Sequence, residues 1–307
     1  MWVGFDFILF ILGLGALLWG SNLLVNSASY IAKRFSVSPI IIGITLLSIG
    51  TSIPEISTSV AAFIMGYGDI AFGNIVGSEL VQITLILAIV ALIRPLKGNR
   101  KEILFYGVAM VVAILLALFT ISDGVIYRSE GVLLVVAYSI FLWYIFKSGR
   151  VEKEVMLEKD KQKWYFLTLS IIIGIVIIVV GSKVMIDATI NIAKFFNASE
   201  FIISVFLVGL GTSLPELVVS GVAAWKKKFD LSVGNLLGSN ITDPTLSLGL
   251  GAIFVKSSAV SAFAGMSAIY LIFVCVIATV LFAWKKKITR PMAFVLLALY
   301  LASFFIF

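Results

Sequence analysis

Long apolar runs alternate with short polar segments along the whole chain. Many of the runs reach about 18 residues or more, which is long enough for an α-helix to cross a hydrocarbon layer of about 30 Å. The pattern therefore predicts an all-α membrane protein with ten transmembrane helices. The predicted spans are residues 5–32, 39–66, 70–93, 102–121, 129–147, 164–192, 200–225, 231–255, 260–284 and 291–307.

Composition supports a chain that lies in a lipid bilayer. Apolar residues make up 61% of the 307 residues and charged residues 13%, whereas soluble domains are nearer one half and one quarter. The formal charge of +7 would suggest nucleic acid for a soluble protein. Here the basic residues lie in short loops between apolar runs, so we expect the bilayer and small cations as partners, and no nucleic acid.

The basic residues are distributed unequally between alternate loops. Nineteen lie on one side of the predicted membrane and three on the other, and Lys183 lies within a span. Cytoplasmic loops are the lysine- and arginine-rich ones. We therefore expect a multi-pass protein of the cell (inner) membrane, with both termini extracellular and the polar linker at 148–163 cytoplasmic.

The two halves of the chain repeat each other at an offset of 161 residues. The sequence GTSIPE at 50–55 recurs as GTSLPE at 211–216, and GNIVGS at 73–78 recurs as GNLLGS at 234–239. Five predicted spans separate the copies, and five is odd, so the second copy enters the membrane from the opposite face. This predicts two inverted five-helix repeats, as in many secondary transporters, at 1–147 and 164–307.

The proline and glutamate of each copy fall in the middle of a predicted span. Proline removes an amide donor, so both helices should break there. Freed carbonyls at membrane depth are tolerated only where they face protein or a wet cavity. Together with Glu55, Glu216 and the nearby hydroxyl groups, they form a set of hard oxygen donors that suits Ca²⁺ or Na⁺. A simple kink would explain one such proline, but not the repeated pair.

Companion polar residues lie in the following spans. Ser78 and Gln82 are one helical turn apart, as are Ser239 and Asp243, so each pair shares a face. The acids Glu55, Glu79, Glu216 and Asp243 all fall in the cores of spans that hold no equally deep cation. Buried charge in a membrane is costly unless it is paired or bound to an ion, so these acids indicate a cation site.

These motifs resemble the two alpha repeats of the sodium/calcium exchanger family, in the cation/calcium exchanger superfamily, with alpha-1 at 43–82 and alpha-2 at 204–243. The resemblance covers the whole chain and implies no large regulatory loop. It implies that the central Ca²⁺-binding carboxylates are Glu55 and Glu216, and that the mid-site amide and acid are Gln82 and Asp243. It also implies added backbone carbonyls from Thr51, Thr212, Ser48 and Gly209. The flanking Na⁺ ligands that it implies are Ser52, Ser78, Ser213 and Ser239.

Two residues depart from the family pattern. The family usually has asparagine at the position of Gln82, and it rarely has an acid where Glu79 stands. The partner of Glu79 in the second repeat, Asn240, is ordinary for the family. An additional acid at Glu79 could alter the number of bound ions or admit protons.

The sequence thus predicts a secondary antiporter that exchanges Ca²⁺ for Na⁺ by alternating access. The resemblance suggests that spans one and six slide over the other eight. The alternative is an H⁺/Ca²⁺ exchanger, or another cation/proton exchanger, of the same superfamily. A cation channel is a third, less favoured interpretation. The sequence shows no nucleophile–base pair of the kind that would indicate an enzyme. We expect no prosthetic group, with Ca²⁺, Na⁺ and in the alternative H⁺ as transported ions, and no obligatory protein partner.

Overall fold

The computed structural model describes residues 3–148, 164–195, 209–260 and 262–304. The fold is all-α, with two short ribbons of paired strands. The predicted linker at 148–163 lies almost wholly outside the described residues, as do 200–208 of the seventh predicted span. The helices are α1 (Val3–Phe35), α2 (Pro39–Thr51), α3 (Ile53–Ile64), α4 (Gly68–Ile93), α5 (Arg100–Thr120), α6 (Arg128–Ser148), α7 (Trp164–Phe195), α8 (Gly209–Thr212), α9 (Leu214–Trp225), α10 (Phe229–Thr242, continued through Asp243–Ser247 to Leu248–Ile253), α11 (Ala262–Lys285) and α12 (Arg290–Ser303).

Each predicted span coincides with helical structure wherever the chain is described. By length and composition, six helices are apolar enough to cross a membrane, and a seventh results if α2 and α3 form one bent span. The helices α9 and α12 are apolar but shorter. The prediction of an all-α membrane protein is therefore confirmed, and the described residues support six or seven of the ten predicted crossings on these criteria.

The helices α4 and α10 form the centre of the bundle. Every residue of α10 from Leu231 to Thr242 is buried, including polar groups that would be costly to expose to lipid. In contrast, α1 and α7 expose large apolar side chains, among them Leu12, Trp19 and Val176. This distribution places polar residues inside and apolar residues outside, as a bilayer requires.

Glycines allow α1 and α7 to pack closely along their length. A Cβ atom added at Gly20 would lie 2.9 Å from the carbonyl oxygen of Gly174, and one at Gly13 would lie 2.9 Å from that of Gly181. Small residues at such positions let helix backbones approach in membranes. A hydrogen bond of 2.9 Å from Asn191 Nδ2 to the Asp6 carboxylate also joins the two helices.

The two halves repeat local structure as well as sequence. The helix breaks fall at Ser52 and Ser213, where ψ is 6° and 7° instead of helical. The axes of α2 and α3 diverge by 48° at the first break. A π-helical turn widens α4 at Gln82–Ile86, and another widens α10 at Asp243–Ser247. The repeated motifs therefore produce the same backbone deviations in both halves.

Two antiparallel ribbons connect the halves. Strand β1 (Leu96–Lys97) pairs with β4 (Lys287–Ile288), and β2 (Val125–Tyr127) pairs with β3 (Ser257–Ala259). Each ribbon takes one strand from each half, and shifting either ribbon by the repeat offset generates the other. The ribbons thus tie the ends of α4, α5, α10 and α11 across the pseudo-symmetry.

We expect Gly20→Ala to lower the free energy of unfolding by about 1–3 kcal/mol, because the added methyl group overpacks the contact between α1 and α7. The matched control is Gly15→Ala, since a Cβ atom at Gly15 meets nothing within 4 Å among the described residues. Melting temperature in detergent is the measurement. Equal melting temperatures for the two variants would contradict the close-packing role of Gly20.

Candidate cation site

The two glutamates of the repeated motifs lie in the first turns of α3 and α9. Each follows a proline, Pro54 or Pro215, in the same turn. Both carboxylates are completely buried. The first turn of a helix carries unsatisfied N–H groups and the positive end of the helix dipole, which stabilise a negative group. Breaking each span creates this N-terminus at the depth where the glutamate needs it.

Glu55 and Glu216 approach each other across the interface of the two halves. They are close enough for their charges to repel, and the charge of Asp243 adds to the repulsion. Ser213 Oγ, from the second half, donates a hydrogen bond of 3.4 Å to Glu55 Oε1. The other Glu55 oxygen and both Glu216 oxygens have no hydrogen-bond partner among the described residues. Three of the four carboxylate oxygens of the predicted central acids are therefore buried without a partner among the described residues.

Hydroxyl groups surround these acids. Among the described residues, the hydroxyl oxygens of Ser52, Thr212 and Ser239 are buried and have no hydrogen-bond partner. Ser78 Oγ donates to the carbonyl of Ile75 at 3.0 Å. The described residues contain no group of three or more aspartate, glutamate, cysteine or histidine side chains that could hold a metal ion without other ligands. A cation held here would therefore take hydroxyl and carbonyl oxygens in addition to carboxylates.

Thr51 is fixed by an asparagine on α10. Its hydroxyl donates to Asn235 Oδ1 at 3.3 Å, and Asn235 Nδ2 donates to Ser220 Oγ at 2.9 Å. Asn235 therefore links the end of α2 to α9 through two side-chain hydrogen bonds. Asn235 belongs to the repeated GN pair, and no role was predicted for this asparagine from the sequence.

Ser48 joins a second chain of hydroxyl groups. Its hydroxyl lies 3.3 Å from Thr242 Oγ1, which lies 3.1 Å from the Tyr138 hydroxyl on α6. The Ser48 carbonyl accepts the backbone N–H of Ser52 at 2.8 Å. It also accepts a hydrogen bond of 3.3 Å from the Thr51 hydroxyl. Gly209, its predicted counterpart, begins the short helix α8.

Gln82 and Asp243 meet directly at the centre of the bundle. Gln82 Nε2 donates to Asp243 Oδ2 at 3.2 Å, and Ser247 Oγ donates to Asp243 Oδ1 at 3.2 Å. Asn240 Nδ2 in turn donates to Gln82 Oε1 at 3.0 Å. Residues 82 and 243 are 161 positions apart, which is the offset of the sequence repeat.

Comparison with known protein families identifies the family of the chain. The sodium/calcium exchanger protein family matches residues 5–147 and 166–307, which is nearly the whole chain. The chain belongs to the sodium/calcium exchanger family. It is a transmembrane antiporter of that family, and the resemblance predicted from the paired motifs is confirmed.

Individual relatives cover similar lengths. This exchanger is 34% identical to an uncharacterized membrane protein of Methanocaldococcus jannaschii, over 96% of this chain and 95% of the relative. It is 31% identical to the sodium/calcium exchanger MaX1 of Methanosarcina acetivorans, over 82% and 84%. Its fold matches the sodium-calcium exchanger NCX_Mj soaked with Na⁺ and Sr²⁺, with a TM-score of 0.85, 32% identity and 98% of each chain covered.

The π-helical turns of this exchanger were missed at the level of sequence. Each of the three described turns has threonine at its third position, followed by leucine: Thr45, Thr84 and Thr245. Each threonine hydroxyl donates to the carbonyl four residues earlier. Such side-chain bonds compete with the regular backbone ladder and bend helices. The repeated Thr-Leu pair is the signal that could have indicated these turns.

We expect Asn235→Leu to lower the free energy of unfolding by about 1–3 kcal/mol, because Thr51 and Ser220 lose a buried hydrogen-bond partner. Asn74→Leu is the matched control at the repeat-equivalent position, where Nδ2 has no partner among the described residues. Thermal unfolding in detergent compares the two. A larger loss from Asn74→Leu would show that the Asn235 bridge does not organise the site.

Proposed function

We propose that this exchanger moves Ca²⁺ in one direction and Na⁺ in the other by alternating access. The observation that carries the proposal is the pair of buried, largely unpaired carboxylates of Glu55 and Glu216. Neither has a lysine or arginine hydrogen-bond partner among the described residues. Two carboxylates balance the charge of one Ca²⁺, and isolated charge at this depth would cost about 3 kcal/mol per group.

The surrounding oxygens supply ligands for both ions in this proposal. Ca²⁺ takes the two glutamates, with backbone carbonyls of Thr51, Thr212, Ser48 and Gly209. Several Na⁺ ions take flanking positions at Ser52, Ser78, Ser213 and Ser239, with Gln82 and Asp243 between them. The hydroxyl groups of Ser52 and Ser239, which have no partner among the described residues, support this assignment, because buried polar atoms are normally satisfied.

The same proposal includes ten transmembrane helices in two inverted repeats. The units are 1–147 and 164–307, containing the motifs 43–82 and 204–243, with 148–163 as a linker. Support comes from the repeated breaks and π-helical turns and from the two ribbons, which exchange strands symmetrically between the halves.

We place both termini outside the cell membrane and the linker in the cytoplasm. Lys33 comes from a different loop than Lys226 and Lys228, yet the three side chains are close enough for their charges to interact. Burial, together with the charges of Lys226 and Lys33, lowers the pKa of Lys228 below its usual value. The ribbon of β1 and β4 also brings Lys97 opposite Lys287. Basic loops that gather at one face fit the positive-inside rule.

Alternating access requires one group of helices to move against another. We assign the movement to α1 and α7, which pack along each other through glycines and expose much of their surface. The Lys226 ammonium group, in the turn before α10, donates to Asn22 Oδ1 and to Asn26 Oδ1, the latter at 2.8 Å. These contacts join α1 to the rest of the bundle in the present arrangement and would change as α1 slides.

Proton exchange is the second candidate, and Glu79 is the observation that favours it. Its fully buried carboxylate has no hydrogen-bond partner among the described residues, and in that exchange it would carry a proton instead of binding a metal ion. The two coupling ions are distinguished by transport measurements.

In proteoliposomes loaded with Na⁺, we expect an outward Na⁺ gradient to drive ⁴⁵Ca²⁺ uptake, because both ions use the same carboxylates. A pH gradient of either direction should have little effect. Uptake that follows the pH gradient and ignores Na⁺ would replace the Na⁺ coupling with proton exchange. Steady single-channel currents would indicate a channel.

In the same assay we expect Glu55→Gln and Glu216→Gln each to reduce uptake at least 100-fold, because each removes one of the two charges that balance Ca²⁺. The control is Asp123→Asn, which removes a carboxylate charge from an exposed turn after α5. It should transport as the unchanged protein does. Transport that survives either glutamate substitution would reject the assignment of the site.

A further inference from the structure

Asp243 differs from the other buried acids in having both carboxylate oxygens satisfied. Gln82 Nε2 and Ser247 Oγ each donate one hydrogen bond to it, at 3.2 Å. Both donors are neutral groups of the protein itself. A carboxylate that already accepts buried hydrogen bonds needs a cation less than one that accepts none. Of the four acids, Asp243 is therefore the least available to bind a cation.

The donor Gln82 is itself fixed in one orientation. Its Oε1 accepts a 3.0 Å hydrogen bond from Asn240 Nδ2, which also donates to the carbonyl of Leu236 at 2.9 Å. Both hydrogens of the Asn240 amide are thus used, and the Gln82 amide must direct its nitrogen towards Asp243. Glutamine is one methylene longer than asparagine, so this reach depends on the residue present at position 82.

Glu79 has the opposite environment. Its side chain is completely buried, and neither carboxylate oxygen has a hydrogen-bond partner among the described residues. The charge that acts on it is that of Asp243, and the nearby titratable group on α11 is the Cys275 thiol. The other unpaired oxygen of this network is Asn240 Oδ1, also fully buried, on α10. Two hard oxygens without partners remain where α4 meets α10.

Glu79 is separate from the central pair of acids. Glu55 and Glu216 lie in the first turns of α3 and α9, whereas Glu79 lies on α4, three residues before Gln82 and therefore on the same helix face. Through Gln82, that face contacts Asp243 and Asn240. A single carboxylate balances the charge of one monovalent ion, whereas the central pair would balance that of Ca²⁺.

We propose that Glu79 is the third carboxylate ligand of this exchanger and binds a flanking Na⁺ ion. Asp243 instead has a structural role, in which it accepts hydrogen bonds from Gln82 and Ser247. This assignment rests on the proposed Ca²⁺/Na⁺ exchange and changes which residues carry it. Gln82 is then the specificity-determining residue, because its amide occupies the carboxylate that a shorter side chain would leave free for an ion.

Equilibrium binding to the purified protein tests the assignment without requiring transport. Bound ⁴⁵Ca²⁺ is measured first in the absence of Na⁺ and then during displacement by increasing Na⁺. For Glu79→Gln we expect Ca²⁺ affinity within about threefold of the unchanged protein, and about a tenfold higher Na⁺ concentration for half displacement, equivalent to about 1.4 kcal/mol. For Asp243→Asn we expect a smaller rise in that Na⁺ concentration than Glu79→Gln produces, because the Asp243 carboxylate already accepts hydrogen bonds from Gln82 and Ser247.

The Gln82→Asn background provides the matched comparison. Shortening residue 82 should release Asp243 from its hydrogen bond, so that Asp243→Asn now weakens Na⁺ displacement about tenfold. Such non-additivity between residues 82 and 243 is expected of contacting groups and would not arise from two independent losses of stability. Glu79→Asn, which copies the asparagine at position 240, serves if Glu79→Gln does not give folded protein.

Several outcomes would overturn the assignment. Asp243→Asn could weaken Na⁺ displacement as much as Glu79→Gln, or the Glu79 variants could leave displacement unchanged and alter only its pH dependence. Either result rejects Glu79 as the Na⁺ ligand while Ca²⁺/Na⁺ competition in the unchanged protein still stands. If Na⁺ fails to displace Ca²⁺ from the unchanged protein, the proposed Na⁺ coupling and this assignment fall together.

Discussion

Burial of carboxylates that the protein itself does not neutralise is the constraint on which this structure depends. Glu55 and Glu216 lie where lipid surrounds the bundle and where few neighbouring groups donate to them. Their cost is offset partly by their position in the first turns of α3 and α9, where the backbone presents free N–H groups. The proline-containing breaks exist in the middle of the membrane because those helix ends are needed there. In the proposed exchange, a bound cation supplies the rest of the compensation.

The two halves must interlock for those helix ends to face each other. Glycines in α10 permit this contact: a Cβ atom at Gly234 would lie 2.4 Å from the carbonyl oxygen of Ile40, and one at Gly238 would lie 2.6 Å from Ile44 Cα. The two ribbons adjoin the ends of α4 and α10. The contact between the halves is thus built around the deeply buried helix α10, while α1 and α7 remain peripheral.

Departures from the repeat give the two halves different chemistry at equivalent positions. The pair Gln82 and Asp243 forms a hydrogen bond that two aspartates could not form without a shared proton. Asn240 donates to Gln82, whereas Glu79, at the equivalent place in the first repeat, has no donor to offer when it is ionised. In the proposed exchange, the repeated halves supply the framework for binding from both sides of the membrane, and these substitutions determine which ions that framework holds.

The family, the all-α membrane class and the acids of interest followed from the sequence alone. Apolar runs, helix-breaking prolines and paired motifs are local properties, and burial in lipid leaves few alternatives for them. The tertiary structure decided which groups are satisfied. No local pattern could show that Asn235 bridges Thr51 to Ser220, or that Tyr138 meets Thr242 across the bundle, because each contact joins helices that are distant along the chain. The sequence likewise identifies Glu79 and Asp243 equally as buried acids. Only the packed structure shows that Asp243 accepts two hydrogen bonds, whereas Glu79 accepts none among the described residues.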